Sequence, residues 1–206
     1  MTKKLLSTMA LGAILMLSAC NETATNETKT TSTGKQTATE VKYVENAEIQ
    51  AKGMKQIKGL IEGVKPALMT TLKSDKTGID GMEMCSKSAI EMGKKYNASL
   101  PKDSSVRRTA LKYRNPNNKP DATDVVVMEK LKADNTFKKP LVVEMGDNYR
   151  VYKALPVHKP CLICHGDVKT MSASMLKIIK EKYPNDLAVD FKEHDFRGVI
   201  VSTIKK

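Results

Sequence analysis

The chain has 206 residues, 40% hydrophobic and 28% charged, a globular composition that excludes a disordered tail, a collagen-like rod and a multispan membrane protein. Its formal net charge is +12, and aromatic residues are only 4%, with no tryptophan and 12 methionines. Any core is therefore mainly aliphatic, or is completed by something that is not protein.

At the amino end, Lys3 and Lys4 precede an apolar stretch from Leu5 to Leu17. The stretch is shorter than the ~20 residues of a membrane-spanning helix and has the form of a secretory signal. It closes on Leu17-Ser18-Ala19-Cys20, which resembles the bacterial lipobox. The resemblance implies a signal peptide over 1–19 and lipidation of Cys20. From Asn21 to Glu40, eight of 20 residues are Thr and almost none is apolar. Such a segment cannot bury enough surface to offset its ordering entropy, so 20–40 reads as a lipidated flexible tether. Asn21 is not the aspartate that holds many lipoproteins at the inner membrane. The expected location is the bacterial cell envelope, on the periplasmic face, with the outer membrane favoured.

The remaining 41–206 reads as one domain. From Val41 the pattern turns helical, with Val44, Ala47, Ala51, Met54, Ile57, Ile61, Val64, Leu68 and Leu72 on one face. Pro66 should kink or restart that helix. After a loop over Lys73–Gly78, Gly81–Tyr96 reads as a second helix carrying Met84 and Cys85. Val106–Arg114 reads as extended, and Arg114-Asn115-Pro116-Asn117-Asn118 as a turn. Asp121, with Asp124 three residues on, resembles the N-cap of a helix ending near Ala133. Leu141–Met145 and Tyr149–Pro156 read as a hairpin through Gly146-Asp147-Asn148. Met171–Tyr183 is a further helix stopped by Pro184, and Arg197–Ile204 a last strand. Helices flanking a small antiparallel sheet make an α+β domain.

The motif that carries chemistry is Cys161-Leu162-Ile163-Cys164-His165. C-x-x-C-H is the attachment sequence of c-type haem. Two thiols reach the two vinyl groups of one porphyrin, and the adjacent imidazole then lies under the iron. Export fits, because this attachment happens outside the bacterial cytoplasm. One covalent haem c is therefore expected, held by Cys161 and Cys164 with His165 as axial ligand. The alternatives are a redox-active Cys161–Cys164 disulfide, which expects a βαβ context and a helix starting at the motif, and a zinc site, for which no second ligand pair is present. For the other face of the iron the residues offer Cys85, His158, His194, Met82, Met84 and Met92. His158 lies three residues before the motif, an awkward start for reaching the opposite face. Cys85 is the one thiol left over once Cys20, Cys161 and Cys164 are assigned. It is either a ligand or a small buried hydrophobe.

The stretch from about Leu60 to Ile204 resembles a family of bacterial c-type haem proteins with a PAS-like fold, a domain also found as the extracytoplasmic sensor module of histidine kinases. The resemblance rests on Met84-Cys85 with Ala89, on Val106-Arg107-Arg108-Thr109, and on Arg114-Asn115-Pro116-Asn117-Asn118-Lys119-Pro120-Asp121. It continues through Cys161 to Gly166, Tyr183-Pro184-Asn185-Asp186-Leu187-Ala188 and Asp195-Phe196-Arg197-Gly198. It implies His165 and Cys85 as the axial pair. The chain departs from the family pattern at Ile90, where Pro is usual, and at Asp190 and His194, where Gly is usual. His194 thus adds a competing imidazole.

A six-coordinate His–Cys haem leaves no open position, so catalysis is not expected. A thiolate favours the ferric state and a low potential. The expected function is one-electron transfer or redox sensing by a membrane-tethered cytochrome. The alternatives are a sensor of CO or NO signalling to a separate partner, and a haem-free thiol/disulfide module. Arg107, Arg108 and Arg114 cluster near one strand and suit haem propionates, or else form a solvated basic edge. The positive surface suits an acidic redox or signalling partner. Nucleic acid is not expected, since the protein is exported and its lysines are not interleaved with aromatics.

Overall fold

The computed structural model describes residues 40–134 and 139–206. The signal peptide expected over 1–19, the lipidation site Cys20 and the tether up to residue 39 lie outside them. No helix among the described residues is long and apolar enough to cross a membrane.

The chain enters as a short edge strand, β1 (Lys42–Tyr43), and not as the helix that the apolar spacing from Val41 suggests. Asn46 sets the boundary. Its side chain accepts the Ile49 amide at 3.0 Å, which caps helix α1 (Ala47–Ser74). Pro66 does not restart this helix. Pro66 and the residue whose carbonyl it leaves unbonded, Glu62, are both exposed, so solvent can take that carbonyl. The single helix expected over Gly81–Tyr96 is three contiguous pieces. These are α2 (Ile79–Glu83), a π-helical turn (Met84–Ser88) and α3 (Ala89–Ser99).

Strand β2 (Ser104–Thr109) ends five residues earlier than expected. The Ala110 amide is drawn to the Asn118 carbonyl at 3.2 Å, and Asn115 accepts the Asn117 amide at 2.9 Å, so the chain turns there. Helix α4 (Ala122–Asp134) follows. Asp121 accepts the Asp124 amide at 2.8 Å, and Asp124 accepts the Asp121 amide at 3.1 Å, the reciprocal cap expected from the sequence. Strands β3 (Leu141–Glu144) and β4 (Asn148–Pro156) form the expected hairpin, closed by the Met145 amide on the Asn148 carbonyl at 2.8 Å. The motif forms a short helix, α5 (Leu162–His165), and α6 (Ala173–Lys182) and β5 (Phe196–Lys205) complete the chain.

The five strands make one antiparallel sheet in the order β1-β3-β4-β5-β2, so the fold is α+β as expected. Side chains alternate across it. Tyr152, Ala154, Val199 and Val201 face α4 and pack on Val127, Met128 and Leu131. Val106, Val142, Val151 and Ile200 face the other way and pack on Ile57 of α1. Helix α1 lies so close there that a Cβ on Gly53 would come within 2.4 Å of Val151 Cγ2.

On the α4 face, Asp124 is fully buried. Both of its oxygens accept from the one nitrogen Arg107 Nη2 at 2.8 Å, and Oδ1 also accepts from the Tyr152 hydroxyl at 3.0 Å. Removing Asp124 leaves the buried Tyr152 hydroxyl without that acceptor, while the part-exposed Arg107 and Arg150 keep Asp121, so the cost is that of an unmade buried hydrogen bond, about 1–3 kcal/mol. Asp124→Ala should lose about that much stability in chemical denaturation, and Asp124→Asn, which keeps acceptor capacity, less. A loss under about 1 kcal/mol for Asp124→Ala would show that the network is not structural.

Candidate functional site

Lys159–Cys161 is a 3-10 turn that runs directly into α5. Cys161, Cys164 and His165 therefore stand at i, i+3 and i+4 on a helical turn and share one face. The turn stops at Gly166, whose amide bonds the Leu162 carbonyl at 2.9 Å. The two thiols are embedded differently. Cys164 packs beside Met82, Met175 and Ile179, at the junction of α2 and α6. Cys161 packs with Leu162 against Val157, Ala188 and Phe191.

The imidazole is held from behind. His165 Nδ1 lies 2.6 Å from the Ala188 carbonyl, which can only accept, so Nδ1 carries the proton and Nε2 keeps its lone pair. Phe191 meets the ring edge-on, with centroids 6.4 Å apart at 85°. The Phe191 and Asp190 amides bond the His165 and Gly166 carbonyls at 3.0 and 2.8 Å. Burial, then Arg197 and Arg114, push the His165 pKa well below the usual imidazole value, so the ring is neutral at neutral pH.

Arg114, 9% exposed, ties this arrangement to the rest of the fold. One of its nitrogens, Nη2, donates to the Cys164 carbonyl at 2.7 Å, Asp186 Oδ2 at 2.9 Å and the Ala188 carbonyl at 3.2 Å.

Cys85 sits in the π-helical turn, where the Ala89 amide reaches the Met84 carbonyl five residues back. Turns of this kind recur at functional sites because they re-aim one residue. Cys85 is accessible to solvent. Protein atoms nevertheless surround its thiol closely enough to push the pKa up, against the opposing pull of Arg108 and Arg114. Cys161 also acts on it, so the π turn and the motif turn border one space. Burial likewise pushes Cys164 up to about 11.

Arg107 does not belong to this site. Successive strand residues point to opposite faces, so Arg107 faces α4 and pairs with Asp124, while Arg108 lies on the α1 face and interacts with Cys85 and Cys161. Arg114 is in the site, but it already has a carboxylate in Asp186. His158 and His194 are exposed, in the segments leading to the motif and to β5. Met82 and Met84 are buried core residues. The residue the sequence reading missed is Arg197. It is 8% exposed, and its guanidinium lies 5.2 Å from the Phe191 ring centroid. Its place beside Gly198 in the Asp195–Gly198 motif was the available signal.

These residues fit the demands of a c-type haem. The thiols and the imidazole share one face of one turn, the imidazole tautomer leaves Nε2 free, and the Cys85 thiol lies near enough to interact with Cys161. The side chains do not converge as a compact ion site: among the described residues no group of three or more His, Cys, Asp or Glu is placed to hold a metal ion. Three buried guanidinium nitrogens among the described residues lack hydrogen-bond partners, Arg150 Nε on the α4 side and Arg114 Nε and Arg197 Nε here, and the two at this site suit an anionic group.

A family model described as Tll0287-like matches residues 22–205. The chain belongs to the Tll0287-like family. The crystal structure of the cyanobacterial heme-protein Tll0287 is similar at 27% identity and a TM-score of 0.62, over 79% of this chain and 98% of that one. Among curated proteins none matches. The two departures from the expected glycines now have a physical reading. Asp190 and His194 are the described non-glycine residues with positive φ, 59° and 71°. Asp visits the left-handed region more readily than most residues, and here Asp190 Oδ1 ties that bend back to the Val168 amide, 22 residues earlier, at 3.1 Å.

Gly78 is the close-approach residue beside the motif turn. Its φ is +78°, and a Cβ there would lie 2.5 Å from Ile163 Cγ2 and 3.3 Å from Cys164 Sγ. Gly78→Ala should destabilise by about 2 kcal/mol through strain and overlap. Gly63→Ala, in an open part of α1 with nothing within 4 Å, should stabilise by about 0.5–1 kcal/mol. Thermal unfolding of the two variants should move Tm in opposite directions, and equal shifts would refute the assignment.

Proposed function

We propose that this chain is a monohaem c-type cytochrome, membrane-tethered through Cys20, that acts in one-electron transfer or redox sensing and is not an enzyme. The observation that carries the reading is the His165 Nδ1 bond to the Ala188 carbonyl beside two thiols on the same helical face. It is what an axial histidine requires, because a metal-ligating imidazole donates its other nitrogen to a carbonyl or carboxylate, which fixes both tautomer and ring plane. The heme-protein relative and the family membership support the same cofactor.

Cys161 and Cys164 would hold the porphyrin through thioethers, with His165 and Cys85 on the two faces of the iron. When bound, the haem supplies a one-electron couple. The chain's own residues do the rest. Ala188 and Phe191 orient the imidazole, and Arg114 fixes the Cys164 backbone. The cluster of Met82, Met175 and Ile179 beside Cys164, and that of Val157, Ala188 and Phe191 beside Cys161, would keep water from one side. Arg108 lies close enough to Cys85 to favour its thiolate form. The lipid anchor would keep the domain at the periplasmic face of the envelope, at the outer membrane, and the basic surface would meet an acidic redox or signalling partner. The π turn favours a second reading, a sensor of CO or NO, because a ligand carried on a loosely bonded turn is the one most readily exchanged.

Visible spectra of the mature protein, made in cells with haem-attachment machinery, test this. The ferric wild type should be low-spin with thiolate-type features. Cys85→Ala should lose those features, bind CO when reduced and show a higher potential. Cys161→Ala and Cys164→Ala should each lose one thioether by mass spectrometry. A wild type without a Soret band refutes the haem reading, and a Cys85→Ala spectrum identical to wild type refutes the ligand. CO binding to the reduced wild type favours the sensor; its absence favours electron transfer.

A further inference from the structure

The chain has five arginines. Three have carboxylate partners: Arg107 with Asp124 at 2.8 Å, Arg150 with Asp121 at 2.7 Å and Arg114 with Asp186 at 2.9 Å. Arg108 and Arg197 have none among the described residues. Both lie in the site already described. Arg108 acts on Cys85 and Cys161, and Arg197 contributes the largest charge effect on His165.

Arg197 carries the argument furthest. It is nine-tenths buried, and Nη1 donates to the Lys112 carbonyl at 3.0 Å, while Nε is buried with no acceptor at all. A guanidinium keeps its proton in proteins, so this is a buried cation with no anion. Burial pushes its pKa down to about 9, and Arg108 and Arg114 add repulsion. Folded proteins do not leave a charge in that state without a ligand that answers it. Among the described residues, Asp186 is the one carboxylate that acts on Arg108, Arg114 or Arg197 at short range, which leaves two positive charges in surplus. A haem carries two propionates, both on the same edge of the ring.

We propose that Arg108 and Arg197 together form the seat of the two haem propionates, with Arg114 reserved for holding the motif turn. This rests on the haem reading above. It also has a redox consequence. A ferric porphyrin with one thiolate is neutral at the iron, so the two arginines balance the two propionates in the ferric state. Reduction then adds a negative charge, and removing either arginine leaves a propionate uncompensated and makes reduction harder still.

The test uses the full chain matured in cells with haem-attachment machinery, as wild type, Arg108→Gln, Arg197→Gln, Arg197→Lys and the surface control Lys132→Gln. Three quantities are read: covalent haem by mass, the ferrous-to-ferric ratio at a fixed poise near the wild-type midpoint, and the propionate-bending bands in resonance Raman spectra. Haem should remain attached throughout, since the thioethers do not involve these side chains. Arg108→Gln and Arg197→Gln should each lower the ferrous-to-ferric ratio about tenfold, equivalent to about 59 mV for one electron, and shift the propionate bands. Arg197→Lys should fall between, and Lys132→Gln should stay within about twofold. If Arg197→Gln does not accumulate, Arg108→Gln and Arg197→Lys decide. The proposal is overturned if the arginine variants match Lys132→Gln with unmoved propionate bands. Failure of the haem reading is separate, because it shows in the wild type as absent haem before any variant is made.

Discussion

The carbonyl of Ala188 is the point on which the site turns. It accepts His165 Nδ1 from one side and Arg114 Nη2 from the other, so both lone pairs are used. The same guanidinium holds the Cys164 carbonyl and Asp186. One buried ion pair thereby fixes three things: the plane of the imidazole, the backbone of the thiol turn, and the 186–191 segment behind both. A buried pair of this kind adds little net stability over an apolar core, because desolvation offsets the attraction. Its contribution here is geometric. The end of β2 at Thr109 is in keeping with this: the chain leaves the sheet over 110–114, and Arg114 is then free to bond the Cys164 carbonyl of the motif turn.

The sheet then divides the charges into two populations. Arg107 and Arg108 are neighbours in sequence and face opposite sides. On the α4 side, Arg107, Arg150, Asp121, Asp124 and Tyr152 pair with one another, a network that anchors the helix and leaves Arg150 Nε as its one unbonded buried donor. On the other side, Arg108 interacts with the Cys85 and Cys161 thiols and with Arg114 and Arg197. The two sides need opposite charge balances, and a single strand supplies both because the side-chain period is two.

Much of this was legible in the sequence. The C-x-x-C-H spacing picked out the turn on which two thiols and an imidazole stand together, and Tyr149–Pro156 and Arg197–Ile204 read as the strands that carry the sheet. The reciprocal Asp121–Asp124 cap and the Gly146-Asp147 turn are local chemistry, and local chemistry reads well. What did not read was non-local. Nothing in the spacing of Val41–Val44 shows that Lys42–Tyr43 will be recruited as an edge by β3, since an apolar period is silent about partners. Arg107 and Arg108 could not be told apart until the strand register was known. Arg197 looked like the start of a strand, and only its burial beside Phe191 reveals an unanswered charge. The π turn at Cys85 is likewise invisible to periodicity, because one widened turn leaves the flanking helical spacing intact.

The two walls of the site are unequally held. On the motif side, His165, Cys164, Asp186, Ala188 and Phe191 share a dense set of bonds, and Gly78 lets the backbone close against Ile163. On the Cys85 side the residue hangs from a π turn, whose hydrogen bonds are longer in span and weaker than those of an α-helix. A bond made between the walls would therefore be set by the motif side and accommodated by the other. Any change in that bond would be felt first in α2 and α3, which lead through Tyr96 and its 2.7 Å bond to the Gln56 carbonyl into the long helix α1. On the proposed reading, that is the route by which a change at the iron would leave the site, because the opposite wall is too thoroughly bonded to move.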